Sequence, residues 1–222
     1  MSPRPRTVSD EAILDATRRL MGKLGPTRFT LAAVAMAVGL APATLVQRFG
    51  SKRKLLLALA GAGGEDPTAA LLDHLRATID SPLERLREFL ACFAGMAPTP
   101  VELANHLAFF QVDLTDPSFH RITLALSRRN EAAAADLVRA AVAAGELEAD
   151  DELGLARALL ATAAGSLLNW GIFRAGNARD WLLRDCDVVL APVRRRGATR
   201  RDRPPSARLG RTGPRGAAAR EQ

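Results

Sequence analysis

Tyrosine is absent from the 222 residues, and aromatic residues together make up only 5%. Extended runs of β-branched residues are scarce while Ala and Leu abound, which speaks against an all-β fold and for helices. The two cysteines, Cys92 and Cys186, lie far apart, match no zinc spacing and read as reduced thiols in a cytoplasmic protein. No apolar run reaches the roughly 18 residues that a bilayer span needs, so no membrane partner is expected. The N-terminus, MSPRPRTVSD, lacks the apolar core of a secretory signal. No Gly-rich phosphate loop, nucleophile elbow or HExxH motif occurs, so an enzyme is not expected. His74, His106 and His120 lack i,i+4 spacing and have no obvious acidic partner, so neither a metal nor a cofactor is expected. Lysine is also rare, three of 31 basic residues; with so much Ala this reads as GC-rich coding and carries no function.

What is present is an apolar fraction of 48%, enough for a packed core, and a net charge of +7 that is unevenly spread. Residues 1–62 carry +7, residues 63–193 carry −8 and residues 194–222 carry +8. A basic head and tail around an acidic body point to a polyanion that meets the ends and not the middle. The last segment, rich in Arg and with one Leu as its only large apolar residue, cannot bury a core. It reads as a disordered tail, either passive or a non-specific nucleic-acid-binding arm.

The head is punctuated like a set of short helices. Ser9 and Asp10 can cap a first helix whose stripe is Ile13, Ala16, Leu20 and Leu24, ended by Gly25-Pro26. Thr30 can cap a second, Leu31 to Val38. Gly39 supplies a tight turn, Leu40 points back to the core, and Pro42 opens a third helix that ends near Phe49. Gly50-Ser51 breaks it, and Lys52-Arg53-Lys54 opens a fourth. Two short helices around a Gly-containing turn describe a helix-turn-helix, the second helix being of a length to enter a major groove. Basic residues at its end and at the start of the next helix would face phosphates.

From Ile13 to Leu59, and above all in VAMAVGLAPATLVQRF followed by GSKRKLL, the chain resembles the TetR family of bacterial regulators. Val34, Ala35, Gly39, Thr44, Leu45, Phe49, Ser51, Lys52 and Leu55 carry the match. The departures are Ala41 where the family has a Ser or Thr cap, Ala43 where it favours Gly, Val46 where it favours a phosphate-contacting Tyr, and Arg48 in place of another aromatic. The resemblance implies phosphate contacts from Thr44 and Lys52 and base-edge contacts from Pro42, Ala43, Gln47, Val46 and Arg48. Thr30 is counted with them as a DNA-binding candidate, and Gln47 can pair with adenine through two hydrogen bonds. Arg4 and Arg6 either fray or enter a minor groove.

Beyond the break at GAGGEDP, six helices are expected: Pro67 to Ile79, Pro82 to Met96, Pro100 to Leu114, Pro117 to Ala144, Asp151 to Ala175 and Arg179 to Leu190. The fold class is therefore all-α: an N-terminal helix-turn-helix domain, residues 1–62, and a C-terminal helical bundle, residues 63–193. The resemblance implies that the bundle senses a ligand and dimerises. Its late helix has two apolar stripes, one with Leu160, Ala163 and Trp170 and the other with Leu159, Ser166 and Phe173. Such a helix must be covered on both sides. Leu159, Ala163 and Ser166, with Leu182 and Val189 of the last helix, are expected at a homodimer interface. A mostly apolar pocket is expected from Phe89, Phe93, His106, Phe110, Trp170 and Phe173. The acidic body suits a neutral or cationic apolar effector. The function this implies is a repressor on a palindromic double-stranded operator, released by that effector. A non-specific or architectural DNA-binding protein and a ligand-independent regulator stay open as alternatives.

Overall fold

Among the described residues, eight helices start on a side-chain oxygen that accepts from a free first-turn amide: Ser9, Thr30, Ser51 and Ser81, then Thr99, Asp116, Asp151 and Asn177. Each such cap stabilises its helix by about 1 kcal/mol. The computed structural model describes residues 8–61, 67–96 and 98–195. In order they form α1 (Asp10–Arg28), α2 (Leu31–Ala37), α3 (Pro42–Phe49), α4 (Lys52–Gly61), α5 (Pro67–Thr78) and α6 (Pro82–Ala91), a 3-10 turn (Cys92–Met96), then α7 (Pro100–Thr115), α8 (Pro117–Ala143), α9 (Glu152–Phe173) and α10 (Ala178–Leu190). The fold is all-α; among the described residues the only β pairing is a single bridge between Leu147 and Arg194. No single described helix is long and apolar enough to cross a membrane.

Gly25 interrupts α1 with φ of 66° and ψ of 173°, at the expected Gly-Pro break. A further turn, Pro26 to Arg28, follows before the chain extends into α2. The helix expected to run unbroken from Pro82 to Met96 instead tightens at Cys92 into the 3-10 turn. The tail also begins later than its composition suggests. The Arg194 amide bonds back to Leu190, and that of Arg195 donates to Glu146 O at 3.1 Å. The Arg195 side chain lies 3.5 Å from Glu148. These two residues are anchored through their backbone, which composition does not reveal. The rest of the tail, and Arg4 and Arg6, lie outside the described residues.

Two apolar cores result. The bundle core runs through Leu86, Phe89, Leu90, Val138, Leu159 and Leu182. The smaller core gathers Ile13, Phe29, Val34, Ala35, Leu45 and Leu55 from α1–α4, and it takes in Phe109 of α7. Phe29 and Phe109 meet edge to face, centroids 5.9 Å apart. The bundle thus contributes a ring to the core of the helix-turn-helix.

Candidate nucleic-acid interface and cavity

The orientation of α3 follows from what it buries. Leu45 is fully buried against Val34 and Ala35 of α2. Gly39, at φ of 69°, lets the Leu40 amide turn back to Ala35 O at 2.9 Å, which sets the angle between the two helices. With Leu45 inward, Pro42, Ala43, Val46 and Gln47 stand exposed on the opposite side, and Thr44 is half-buried. Ala41 offers α3 no side-chain cap, but Pro42 in the first turn leaves one fewer amide in need of one. Thr30 is exposed, with Oγ1 occupied as the cap of α2 by the Ala33 amide at 3.1 Å.

The cations of this region differ in how free they are. The Lys52 ammonium donates to Pro26 O at 2.6 Å and sits 5.5 Å above the Phe29 ring, so it pins the start of α4 to the end of α1. An ammonium has two further donors to offer. Arg48 departs from the expected base-edge role. Its guanidinium turns back to Val8 O at 2.7 Å and Asp10 at 2.5 Å, because the last turn of α3 lies beside the start of α1. Arg53, in the first turn of α4, is bound away from this face altogether. It forms a two-pronged pair with Asp116 at 2.8 and 2.9 Å, donates to Ser118 Oγ at 3.0 Å and lies 5.8 Å from the Phe119 ring. The guanidinium holds the Asp116 carboxyl down to about 2, helped by the Ser118 amide.

A cavity of about 330 Å³ opens between α8 and α9. Phe93, Met96, Leu160, Ala163, Ala164 and Leu167 form its apolar wall, and Ser127, Asn130, Glu131 and Arg157 its polar side. Glu131 and Arg157 pair at 2.9 Å, and the guanidinium draws the Glu131 carboxyl below its ordinary range. A second hollow of about 190 Å³ shares Phe93, Met96 and Asn130 and adds Thr68, Leu71, Phe89, Cys92 and Leu126. Burial, then Glu88, pushes the Cys92 thiol up, so it is not an activated nucleophile.

Of the six expected pocket residues, only Phe93 and Phe89 reach these hollows, and they meet edge to face at 5.8 Å. The other four are placed elsewhere. His106 faces α1, its Nε2 3.3 Å from where a Cβ on Gly22 would stand. Asn105 beside it donates to Gly22 O at 2.6 Å. Phe110 is 45% exposed. Trp170 is buried in the bundle core and donates from its ring nitrogen to Gly176 O at 3.2 Å. Phe173 is 67% exposed and stacks on Trp181. For His106 and Phe110 the cause is the rotation of α7, which turns Asn105, His106 and Phe109 toward the helix-turn-helix. What sequence reasoning missed was Phe109 and Asp116, and the roles of Asn105 and Arg53. Two glycines three apart on α1, and the Asp-Pro-Ser start of α8, were the available signals.

The expected interface residues are likewise reassigned. Leu159, Ala163, Ser166 and Leu182 are buried within the chain itself, and Val189 packs against the same core. Ser166 Oγ donates to Asp185 at 2.7 Å. The helix is apolar on two sides, as its stripes required, but the faces taken by α8 and α10 are those named. The face left outward carries Ala158, Ala161, Leu168 and Ile172, with Val188 on α10; Ile172 is 75% exposed.

Residues 13–59 match the family described as bacterial regulatory proteins, tetR family. The HTH-type transcriptional regulator BetI of Burkholderia thailandensis is 29% identical over 125 residues, which span 56% of this chain and 64% of that protein. The chain thus matches less than two thirds of that relative's length. Among solved structures, a protein from Saccharomonospora viridis described as a transcriptional regulator, in complex with choline, superposes with a TM-score of 0.68 at 19% identity. That match covers 84% of this chain and 98% of that one. A TetR-family transcriptional regulator from Agrobacterium tumefaciens gives 0.65 at 19% identity over 84% and 100%. These structural likenesses establish the fold.

Proposed function

We propose that this chain, whose residues 13–59 match the tetR family of bacterial regulatory proteins, acts as a member of that family: it represses transcription as a homodimer on a palindromic operator and leaves it when a small molecule binds. The observation that carries the DNA-binding part is the outward face of α3, where Pro42, Ala43, Val46 and Gln47 are exposed and not engaged in the chain's own core. Gln47 reads a base edge; Thr44 and the remaining donors of Lys52 meet phosphates. Selection from random duplexes tests this. Wild-type protein enriches a palindrome, and Gln47→Ala relaxes one position per half-site by about 1–3 kcal/mol. Unchanged selectivity in that variant refutes the placement of α3.

The dimer uses the outward face of α9 and α10. Ile172→Arg then gives folded monomers that lose the palindrome, whereas Ala163→Arg buries an unpaired charge and unfolds the bundle. A wild-type protein that sediments as a monomer at micromolar concentration refutes the dimer.

The effector site is the pair of hollows around Phe93. Their walls are apolar and the Glu131 carboxylate is already paired with Arg157, so the hollows suit a neutral apolar molecule, and the Phe rings add a face for a cation. Choline, found in the Saccharomonospora viridis protein, is one compound to try. Titration of choline and of uncharged apolar compounds against operator-bound protein, read by DNA release, tests the site. Phe93→Trp abolishes the response and spares operator affinity. A tenfold release requires about 1.4 kcal/mol of differential binding.

A further inference from the structure

The basic run Lys52-Arg53-Lys54 opens α4 beside the proposed DNA face, and its charge alone would assign all three residues to phosphates. The structure divides them. Lys52 is tied to α1 through Pro26 and Phe29. Arg53 leaves the helix-turn-helix and seats on the bundle through both carboxylate oxygens of Asp116, the hydroxyl of Ser118 and the ring of Phe119.

Asp116 has a special place in the chain. Its amide donates to Val112 O and closes α7, while its carboxylate accepts from the Ser118 amide at 2.8 Å and opens α8. The corner it forms belongs to the two helices that face the other parts of the site. α7 inserts Phe109 into the core of α1–α4. α8, ten to fifteen residues further on, carries Leu126, Ser127, Asn130 and Glu131 into the two hollows. One rigid helix therefore joins the hollow to the residue that grips α4.

We propose that Arg53 is a positioning residue, not a phosphate contact: clasped to Asp116, it fixes the angle at which each protomer presents α3, and displacement of α8 by a ligand reaches α3 through this clasp. The proposal rests on the dimeric-operator reading above. The planar fork of Arg is what the geometry uses; a Lys in its place supplies the charge without the two parallel bonds.

Four variants separate the two roles: Arg53→Ala, Arg53→Lys, Asp116→Asn and the double Arg53→Ala/Asp116→Asn. Asn keeps the cap of α8 but not the charge. The first readout is selection from random duplexes, scored for the distance between half-sites; the second is the salt dependence of binding to a non-specific duplex. With the clasp, all three single variants flatten the spacing preference by about fivefold or more, the lower end of usual coupling between sites. The double variant goes no further, and the salt slope stays at the wild-type value. If Arg53 instead binds a phosphate, Arg53→Ala lowers the slope by about 0.9 for each phosphate no longer neutralised, Arg53→Lys restores it, and Asp116→Asn changes nothing. That result overturns the proposal. Hydrogen exchange in the α4 amides, residues 52–61, needs no DNA. Arg53→Ala and Asp116→Asn each speed it severalfold and leave α10 unchanged; unaltered exchange overturns the clasp. A wild-type protein that selects no spaced half-sites refutes the dimeric-operator reading instead, and the exchange data still decide the clasp.

Discussion

Where α1 lies on α7 the packing is close. Gly22 and Gly25 remove the side chains that would hold the helices apart; a Cβ at Gly25 would collide with Asn105. Asn105 bonds directly to the α1 backbone, and Phe109 fills the core beyond. Where α4 meets α8 the junction is ionic and half-open, with 52% of the Arg53 side chain and 24% of that of Asp116 exposed. Packed surfaces resist deformation, because a small shift weakens dispersion attraction across the whole surface at once. A solvent-facing ion pair adds little stability but has strong directionality. The molecule thus has one joint that holds the two parts together and another that can set their angle.

The comparison breaks most severely at Phe109. Phe109→Ala should destabilise by about 3–5 kcal/mol, since it opens a cavity in a core with few other large residues; chemical denaturation measures it. The α1–α4 unit should lose structure first, and hydrogen exchange will show this if the ring belongs to that core. Next is Gly25→Ala, which strains a positive φ and pushes Asn105 away, for about 2 kcal/mol. Ala at Gly61, where no described residue comes within 4 Å of an added Cβ, should cost far less and serves as the control. Asn105→Ala should cost about 1 kcal/mol, leaving the Gly22 carbonyl without its partner.

The smallest effect sharpens the other side of the comparison. Asp116 is held at about 2, against an ordinary value of 3.8. A carboxyl lowered in the fold stabilises above its ordinary value and loses that contribution as pH falls toward the folded value. The gap in melting temperature between wild type and Asp116→Asn should therefore stay constant from neutrality down to about pH 4, and close only in stronger acid. A gap that closes near neutrality would place a different titrating group at the joint.

Helices were legible because their ends are local. The Ser, Thr and Asp caps, the first-turn prolines and the Gly-Pro break lie within a few residues of what they control. The outward residues of α3 came through the family resemblance, and the fold agrees for Gln47 and Ala43, because Leu45 points into the core of α1–α4. The pocket was not legible. α7 carries Leu103 and Phe109 on one side and Leu107 and Phe110 on another, and nothing local says which meets α9 and which meets α1. His106 is polar among apolar neighbours, a description that fits a cavity wall and a helix–helix joint equally well. The same ambiguity moved Ala163 and Ser166 from an expected interface into the chain's own core.

What the sequence determined by itself was the all-α class, the order and approximate ends of the helices, and the helix-turn-helix. These depend on caps, breakers and periodicity, which act over one or two turns. Tertiary structure alone decided the rotation of α7 and α9 about their axes, the transfer of Phe109 into the neighbouring core and the capture of Arg53 by Asp116, 63 residues away. Those outcomes turn on competition between apolar faces of similar strength and on a charge choosing among distant partners, and only the packed chain resolves that choice.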